Sequence, residues 1–403
     1  MSDLVTPLDS MGVSAEVESV SVVGLEGSVS SEVKVPELPY GCYLCIPKVV
    51  SSTLLTTLDK LGKMAASLQA RNVVIRSTKE NVLFVYDNTF YKFEFSLPNL
   101  TGHVLSDFCL SIDHLKKFFG IASSYLSIVE LVNGTELYGA GKYVVVGRNL
   151  VSIDVQQFEI ADYAFEWPEF TDSLDGSALA SRLGSFTSLL SLAERAPEKQ
   201  LITSEGQSYI NIGSIFGRTK SFFGDSISCV VNRVLVDCIS LLSAFDGSDV
   251  RALFDNKRAF ISFGTTAKLM FAYTTGAAVG RLLSPVFRDS FKYDSVVHID
   301  QSEFSSLLSL VSSLDYFADM VTMQFSDTQL TFTVHQKDED KDMTYSFDYL
   351  DGTTQSGTLV VPLQVLLGVL SLATRDAGYS CTGNNLIVDT GDFVYCVRST
   401  MTM

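Results

Sequence analysis

The chain has 403 residues, 46% of them hydrophobic, which is length enough for two to three domains with cores of their own and far beyond a disulfide-dependent scaffold. No run of about 18 uncharged apolar residues occurs, which excludes a membrane-spanning helix, and 29 Lys plus Arg against 46 Asp plus Glu give a formal net charge of −17. A charge of that sign repels nucleic acid unless the few basic residues are gathered on one surface.

Residues 1 to 38 hold seven acidic residues, one basic residue (Lys34) and no aromatic, the composition of a disordered acidic tail. A tether or docking segment is the alternative reading. Met1-Ser2-Asp3-Leu4 lacks the basic and apolar regions of a signal peptide, and the seven Cys are an odd number scattered through a long chain. Both features predict free thiols in a reducing cytoplasm.

From about residue 39 one pattern recurs six times: a short strand, a helix with an apolar stripe, then β-rich runs broken by Gly, Asn and Asp. The helices are predicted to begin near Lys48, Ile112, Ser177, Asn232, Asp300 and Pro362, at intervals of about 55 to 68 residues, the mark of an internal repeat. In the first, Leu54, Leu58, Leu61, Ala65 and Leu68 line one face, with Lys60 and Lys63 roughly opposite. The third carries Leu179, Leu183, Phe186, Leu190 and Ala193 and stops at Ala196-Pro197. The fifth sets Phe304, Leu307, Leu308, Val311 and Leu314 against Ser305, Ser306, Ser309, Ser312 and Ser313. Such a helix faces something polar without repelling it.

Strands are predicted at Asn72 to Ile75, Val82 to Tyr86, Phe90 to Phe95, Leu330 to His335 and Met343 to Tyr349. The last two are joined by the charged turn Lys337-Asp338-Glu339-Asp340-Lys341, a solvated hairpin loop. Pairing the six units gives three α+β domains, 39–167, 168–289 and 290–403, each with two helices against antiparallel sheets.

Motifs for catalysis are missing. Gly213-Ser214-Ile215-Phe216-Gly217-Arg218-Thr219-Lys220 has three residues between its glycines where a phosphate loop has four, and Arg where it needs Lys. Cys42-x-x-Cys45 has no second pair to complete a zinc site and reads as buried cysteine. The four His are dispersed, no Gly-x-Ser-x-Gly elbow occurs, and no metal or cofactor is expected. The chain is expected to catalyse nothing.

At this point the residues resemble a known family, the bacterial-type β sliding clamp, a DNA polymerase processivity factor. The likeness covers residues 39 to 403 through its three duplicated domains. Locally, Val231-Asn232-Arg233 followed by Leu241 to Arg251, with its Asp246-Gly247 turn, is similar to the family's second-domain segment. Tyr395-Cys396-Val397-Arg398-Ser399-Thr400-Met401-Thr402-Met403 is similar to the family's last strand and tail, with Arg398-Ser399-Thr400 where a Met-Pro-Met pattern is usual. The acidic tail and altered C-terminus mark a divergent member, for which a phage origin and a bacterial host cytoplasm are the expectation.

The resemblance implies three tandem DNA-clamp domains, helices inside and antiparallel sheets outside, and a homodimer ring that encircles double-stranded DNA. Processivity then comes from topology, so weak contacts suffice and local positive charge within an acidic protein is enough. The basic residues on or beside the inner helices are Lys60, Lys63, Arg71, Lys116, Lys117, Arg182, Arg195, Lys199, Arg233 and Arg375. The first helix of the third domain has no Lys or Arg, which predicts DNA lying closer to the first domain. The resemblance also implies a pocket for short peptide motifs of the DNA polymerase and clamp loader, carried over by position to Gly217, Arg218, Val250, Val397, Arg398, Thr400 and Met401. The alternatives are a non-ring clamp-fold accessory or transcription coactivator, and a β-rich structural or virion protein.

Overall fold

The computed structural model describes residues 38, 41–63, 72–88, 90–135, 137–153, 166–170, 172–192, 200–212, 215–225, 227–245, 249–314, 317–371 and 376–400. The acidic tail as far as residue 37, Ala65, Leu68, Arg71, Ala193, Arg195, Lys199, Arg375 and Met401 lie outside them. Among the described residues there are eight α-helices: α1 (Ser51–Lys63), α2 (Ile112–Ile121), α3 (Gly176–Leu192), α4 (Arg233–Phe245), α5 (Ala277–Leu282), α6 (Pro285–Asp289), α7 (Gln301–Ser312) and α8 (Leu363–Leu370). Every strand pairing is antiparallel. No helix among them is long and apolar enough to cross a membrane.

The six predicted helices are α1 to α4, α7 and α8, and each follows a strand directly or through a short turn. Local chemistry sets their starts. Ser111 caps α2 by accepting from the backbone N–H of His114 at 3.1 Å, and Asp300 caps α7 by accepting from Glu303 N–H at 2.9 Å. The strand before α8 ends at Pro362, whose fixed φ of −66° suits a helix entry. The two helices that the periodicity does not predict, α5 and α6, are six and five residues long. They are too short to show a stripe, and α6 is set by its Ser284 cap and Pro285.

The chain divides into two compact units, Met1–Ala180 with Leu241–Ala272, and Ser181–Ser240 with Tyr273–Met403. The first holds a four-stranded sheet in the order Tyr43–Pro47, Tyr125–Leu131, Gly141–Val146, Asn149–Ser152. Its other sheet has eight strands, in which Tyr91–Pro98 pairs with Ala267–Ala272 and joins a run from the first predicted domain to one from the second. Alternation makes that sheet two-faced: Val82, Phe84 and Tyr86 are buried while their neighbours are half-buried. Leu54, Leu58 and Leu61 of α1 and Ile112, Leu115 and Phe119 of α2 are buried. A Cβ at Gly62 would come within 2.8 Å of Ile112 Cδ1, so glycine lets α1 and α2 approach closely.

The second unit holds a ten-stranded sheet, in which Ile215–Lys220 pairs with Val394–Arg398, and a four-stranded sheet ordered Lys341–Asp348, Gln329–Gln336, Phe317–Phe325, Gly357–Pro362. Helices α7 and α8 pack together, and Phe304 meets the rings of Phe332, Phe347 and Tyr379 edge-on at 5.1 to 5.6 Å. Over one face of the larger sheet lie α5 and α6, where Phe287 and Phe291 join Tyr209, Phe216, Ile387 and Cys396 in one buried cluster.

Candidate nucleic-acid interface and partner pocket

Burying the leucines of α1 leaves Asp59, Lys60 and Lys63 off the buried stripe, and α2 brings Lys116 to Asp59. The carboxylate of Asp59 is shared: Oδ2 lies 2.7 Å from Lys63 Nζ and Oδ1 lies 2.5 Å from Lys116 Nζ. Partial burial raises the Asp59 carboxyl, but hydrogen bonds and charge from Lys116 and Lys63 outweigh it and hold the group below its ordinary range. Lys60 is half-buried, and Lys117 is exposed. Two of the expected basic residues, Lys63 and Lys116, are therefore brought together across the α1–α2 pair, and Lys60 and Lys117 lie on the same two helices.

Of the others, two lie among the described residues, both in the second unit. Arg182 is half-buried in α3, and Arg233 opens α4 with its Nε 3.9 Å from Asp237 Oδ2. Helices α7 and α8 contain no Lys or Arg; Ser302, Ser306, Ser309 and Ser313, with Glu303 and Leu310, form the exposed side of α7 and of the turn that ends it.

Of the residues carried over to a peptide pocket, Gly217, Arg218, Val397, Arg398 and Thr400 belong to the second unit, and buried Val250 starts a strand of the first. Alternation puts Gly217 and Arg218 on opposite faces of their strand. A Cβ at Gly217 would lie 2.7 Å from Ile210 Cγ2 and 3.4 Å from both Phe186 and Tyr395, so glycine here admits the α3 phenylalanine onto the sheet. On the other face the Arg218 guanidinium lies 5.4 Å from the Phe291 ring centre and that of Arg398 lies 4.7 Å from Phe216. Val397 is buried. Beyond it the chain stays ordered by pairing: Thr400 N–H donates to Val360 O at 3.0 Å, and Val360 N–H donates to Ser399 Oγ at 2.9 Å.

Asp59, Phe216 and Phe291 are absent from the sequence-based set. Asp59 and Lys63 are four residues apart on a helix, a legible ion-pair spacing, whereas Lys116 and the two phenylalanines arrive only through tertiary packing. Among the described residues no group of His, Cys, Asp and Glu is placed to hold a metal ion. All seven cysteines are free, and burial raises the Cys45 thiol.

No protein-family model and no curated protein sequence matches the chain. Solved structures do. A DNA polymerase sliding clamp from Pseudomonas aeruginosa, solved with a ligand, superposes with a TM-score of 0.66 at 13% identity, over 89% of this chain and 100% of that one. A putative DNA polymerase III beta subunit from Eubacterium rectale gives 0.64 at 13% identity, over 89% and 99%. The beta subunit from DNA polymerase of Streptococcus pyogenes gives 0.62 at 12%, over 89% and 100%. The chain has the sliding-clamp fold. At these identities the likeness is one of backbone. What the clamp fold carries in this protein is therefore read from its own side chains: an Asp-bridged lysine group on α1 and α2, and an arginine-on-phenylalanine surface beside the last strand.

Proposed function

We propose that the protein is a processivity clamp: two copies close into a ring around duplex DNA and tether a DNA polymerase, with no catalysis of their own. The observation that carries this reading is the clamp fold spanning 89% of the chain and nearly the whole of the solved clamps. Three domains, 39–167, 168–289 and 290–403, would then make a six-domain ring. The Lys60, Lys63, Lys116 and Lys117 group supports DNA passing nearer the first domain, and the serine face of α7 supports hydroxyl or water-mediated contact in the third.

Ring closure needs complementary sheet edges. Among the described residues Asn149–Ser152 and Lys341–Asp348 are both edge strands, with exposed apolar Val151 on one and Met343 on the other. Partner peptides of the polymerase and loader are assigned to the surface of the second unit around Arg218, Arg398 and Thr400. There the stacked Arg218 and Arg398 supply polar anchors on an apolar base.

Negative-stain electron microscopy of the purified protein tests the ring: two-fold class averages with a central hole are expected, and compact particles without one would transfer the proposal to a monomeric accessory factor. Deleting residues 399–403 is expected to abolish polymerase binding while the ring still forms. Retained binding would argue against this pocket.

A further inference from the structure

We infer that Asp59 sets the strength of the DNA grip by withholding Lys63 and Lys116 from phosphate. The inference rests on the clamp reading and concerns a residue outside the expected DNA-binding set. One carboxylate cannot be satisfied by a single ammonium here, because its two oxygens each take one: Lys63 from the next turn of the same helix and Lys116 from the neighbouring helix. The Asp59 side chain is only 19% exposed, while Lys116 is 38% and Lys63 71% exposed, so the carboxylate sits at the base of the group with its partners extending outward.

A lysine already paired with a fixed carboxylate must exchange that partner for a phosphate. It therefore contributes less to binding, and less counterion release, than a lysine paired only with water. The bridge engages both ammonium groups on one carboxylate and fixes them on one spot of the α1–α2 surface. A clamp that retains DNA by encirclement gains from this, since a stronger grip slows sliding without adding retention.

The test is equilibrium binding of the full-length protein to a short fluorescent linear duplex, by anisotropy across a salt series, which requires no loader. Asp59→Asn is expected to tighten binding by about three- to tenfold and to steepen the log–log salt dependence by about one to two, at about 0.9 per added phosphate neutralised. Asp59→Glu, which keeps the charge, is expected to retain the wild-type slope. Lys63→Gln and Lys116→Gln in the wild-type background are expected to flatten the slope by less than about half of that per-phosphate value each, and by nearly all of it in the Asp59→Asn background.

An unchanged slope in Asp59→Asn, with Lys60→Glu and Lys117→Glu still weakening binding, overturns the inference and leaves the DNA reading intact. No response to Lys60→Glu and Lys117→Glu overturns both. Should Asp59→Asn melt below the assay temperature, the wild-type-background lysine variants decide alone: a slope flattened by about 0.9 in each of them refutes withholding.

Discussion

Two helix pairs of this chain share one design and differ in what they show to solvent. In α1 and α2 the buried stripe is Leu54, Leu58 and Leu61 with Ile112, Leu115 and Phe119; in α7 and α8 it is Phe304, Leu308 and Val311 with Leu363, Leu366 and Val369. Both stripes hold a helix pair against antiparallel sheets. The outward sides differ, lysines bridged by a carboxylate on the first pair and, on α7, mostly serines with Glu303 and Leu310 and no basic side chain. A repeated fold constrains the inward side of each copy through packing and leaves the outward side open to divergence. Function specific to one copy is therefore found in its outward residues.

The shared half of the comparison breaks under core truncation. Phe304→Ala removes a ring that meets three aromatic neighbours, and Leu58→Ala removes a fully buried leucine. Losses of about 3–5 and about 2–5 kcal/mol are expected, read from denaturant melts. Near-zero loss at either site would show that the two pairs are not equivalent in packing. The divergent half breaks under charge reversal. Glu at Lys60, Lys63, Lys116 and Lys117 together is expected to weaken duplex binding at least about tenfold and to flatten its salt dependence. Ser306→Ala with Ser309→Ala is expected to leave both nearly unchanged. Equal effects from the two sets would remove the asymmetry between domains.

The shared half was the legible one. Helix starts read near Ile112, Asn232, Asp300 and Pro362 fall within one residue of the observed starts or caps, because periodic leucines and the Asp300 cap are local signals. The hairpin at Lys337 to Lys341 was legible for the same reason, with Asp340 taking the positive φ of 50° that turns the chain. Less legible was everything set at a distance. Pairing of Tyr91–Pro98 with Ala267–Ala272 joins residues some 175 positions apart, and no local pattern specifies it. The Phe216–Arg398 stack and the Lys116 half of the Asp59 bridge are likewise products of topology. Helices α5 and α6 escaped because five or six residues are too few for a period to show.

Acid sharpens the comparison by acting on one pair and sparing the other. A carboxyl held below its unfolded value stabilises the fold above that value, about 3.9 for Asp, and loses the contribution as pH falls through the folded value. Asp59 is such a group, and so is Glu130 in the same unit: burial raises it, and hydrogen bonds from Lys142 and Ser106 more than offset that. Helices α7 and α8 carry no basic side chain to form an equivalent pair. Melts of the wild type are expected to weaken below about pH 4, with part of that pH dependence missing in Asp59→Asn and part in Glu130→Gln. A wild-type pH profile in Asp59→Asn would mean that the bridge adds nothing to the packing of α1 on α2.

The smallest expected effect is also the most direct measure of divergence between copies. If outward residues alone separate the two helix pairs, lysine placed on the serine face should convert one surface toward the other without disturbing the fold. Ser306 and Ser309 are exposed, the α7 stripe lies on the opposite side, and Lys is a good helix former, so Ser306→Lys and Ser309→Lys should fold as the parent does. Each is expected to steepen the salt dependence of duplex binding by about 0.9, a gain of about three- to fourfold in affinity per fourfold drop in salt. A graft that folds but leaves the slope unchanged would place α7 out of reach of the duplex, and the serines would then be a solvated surface only.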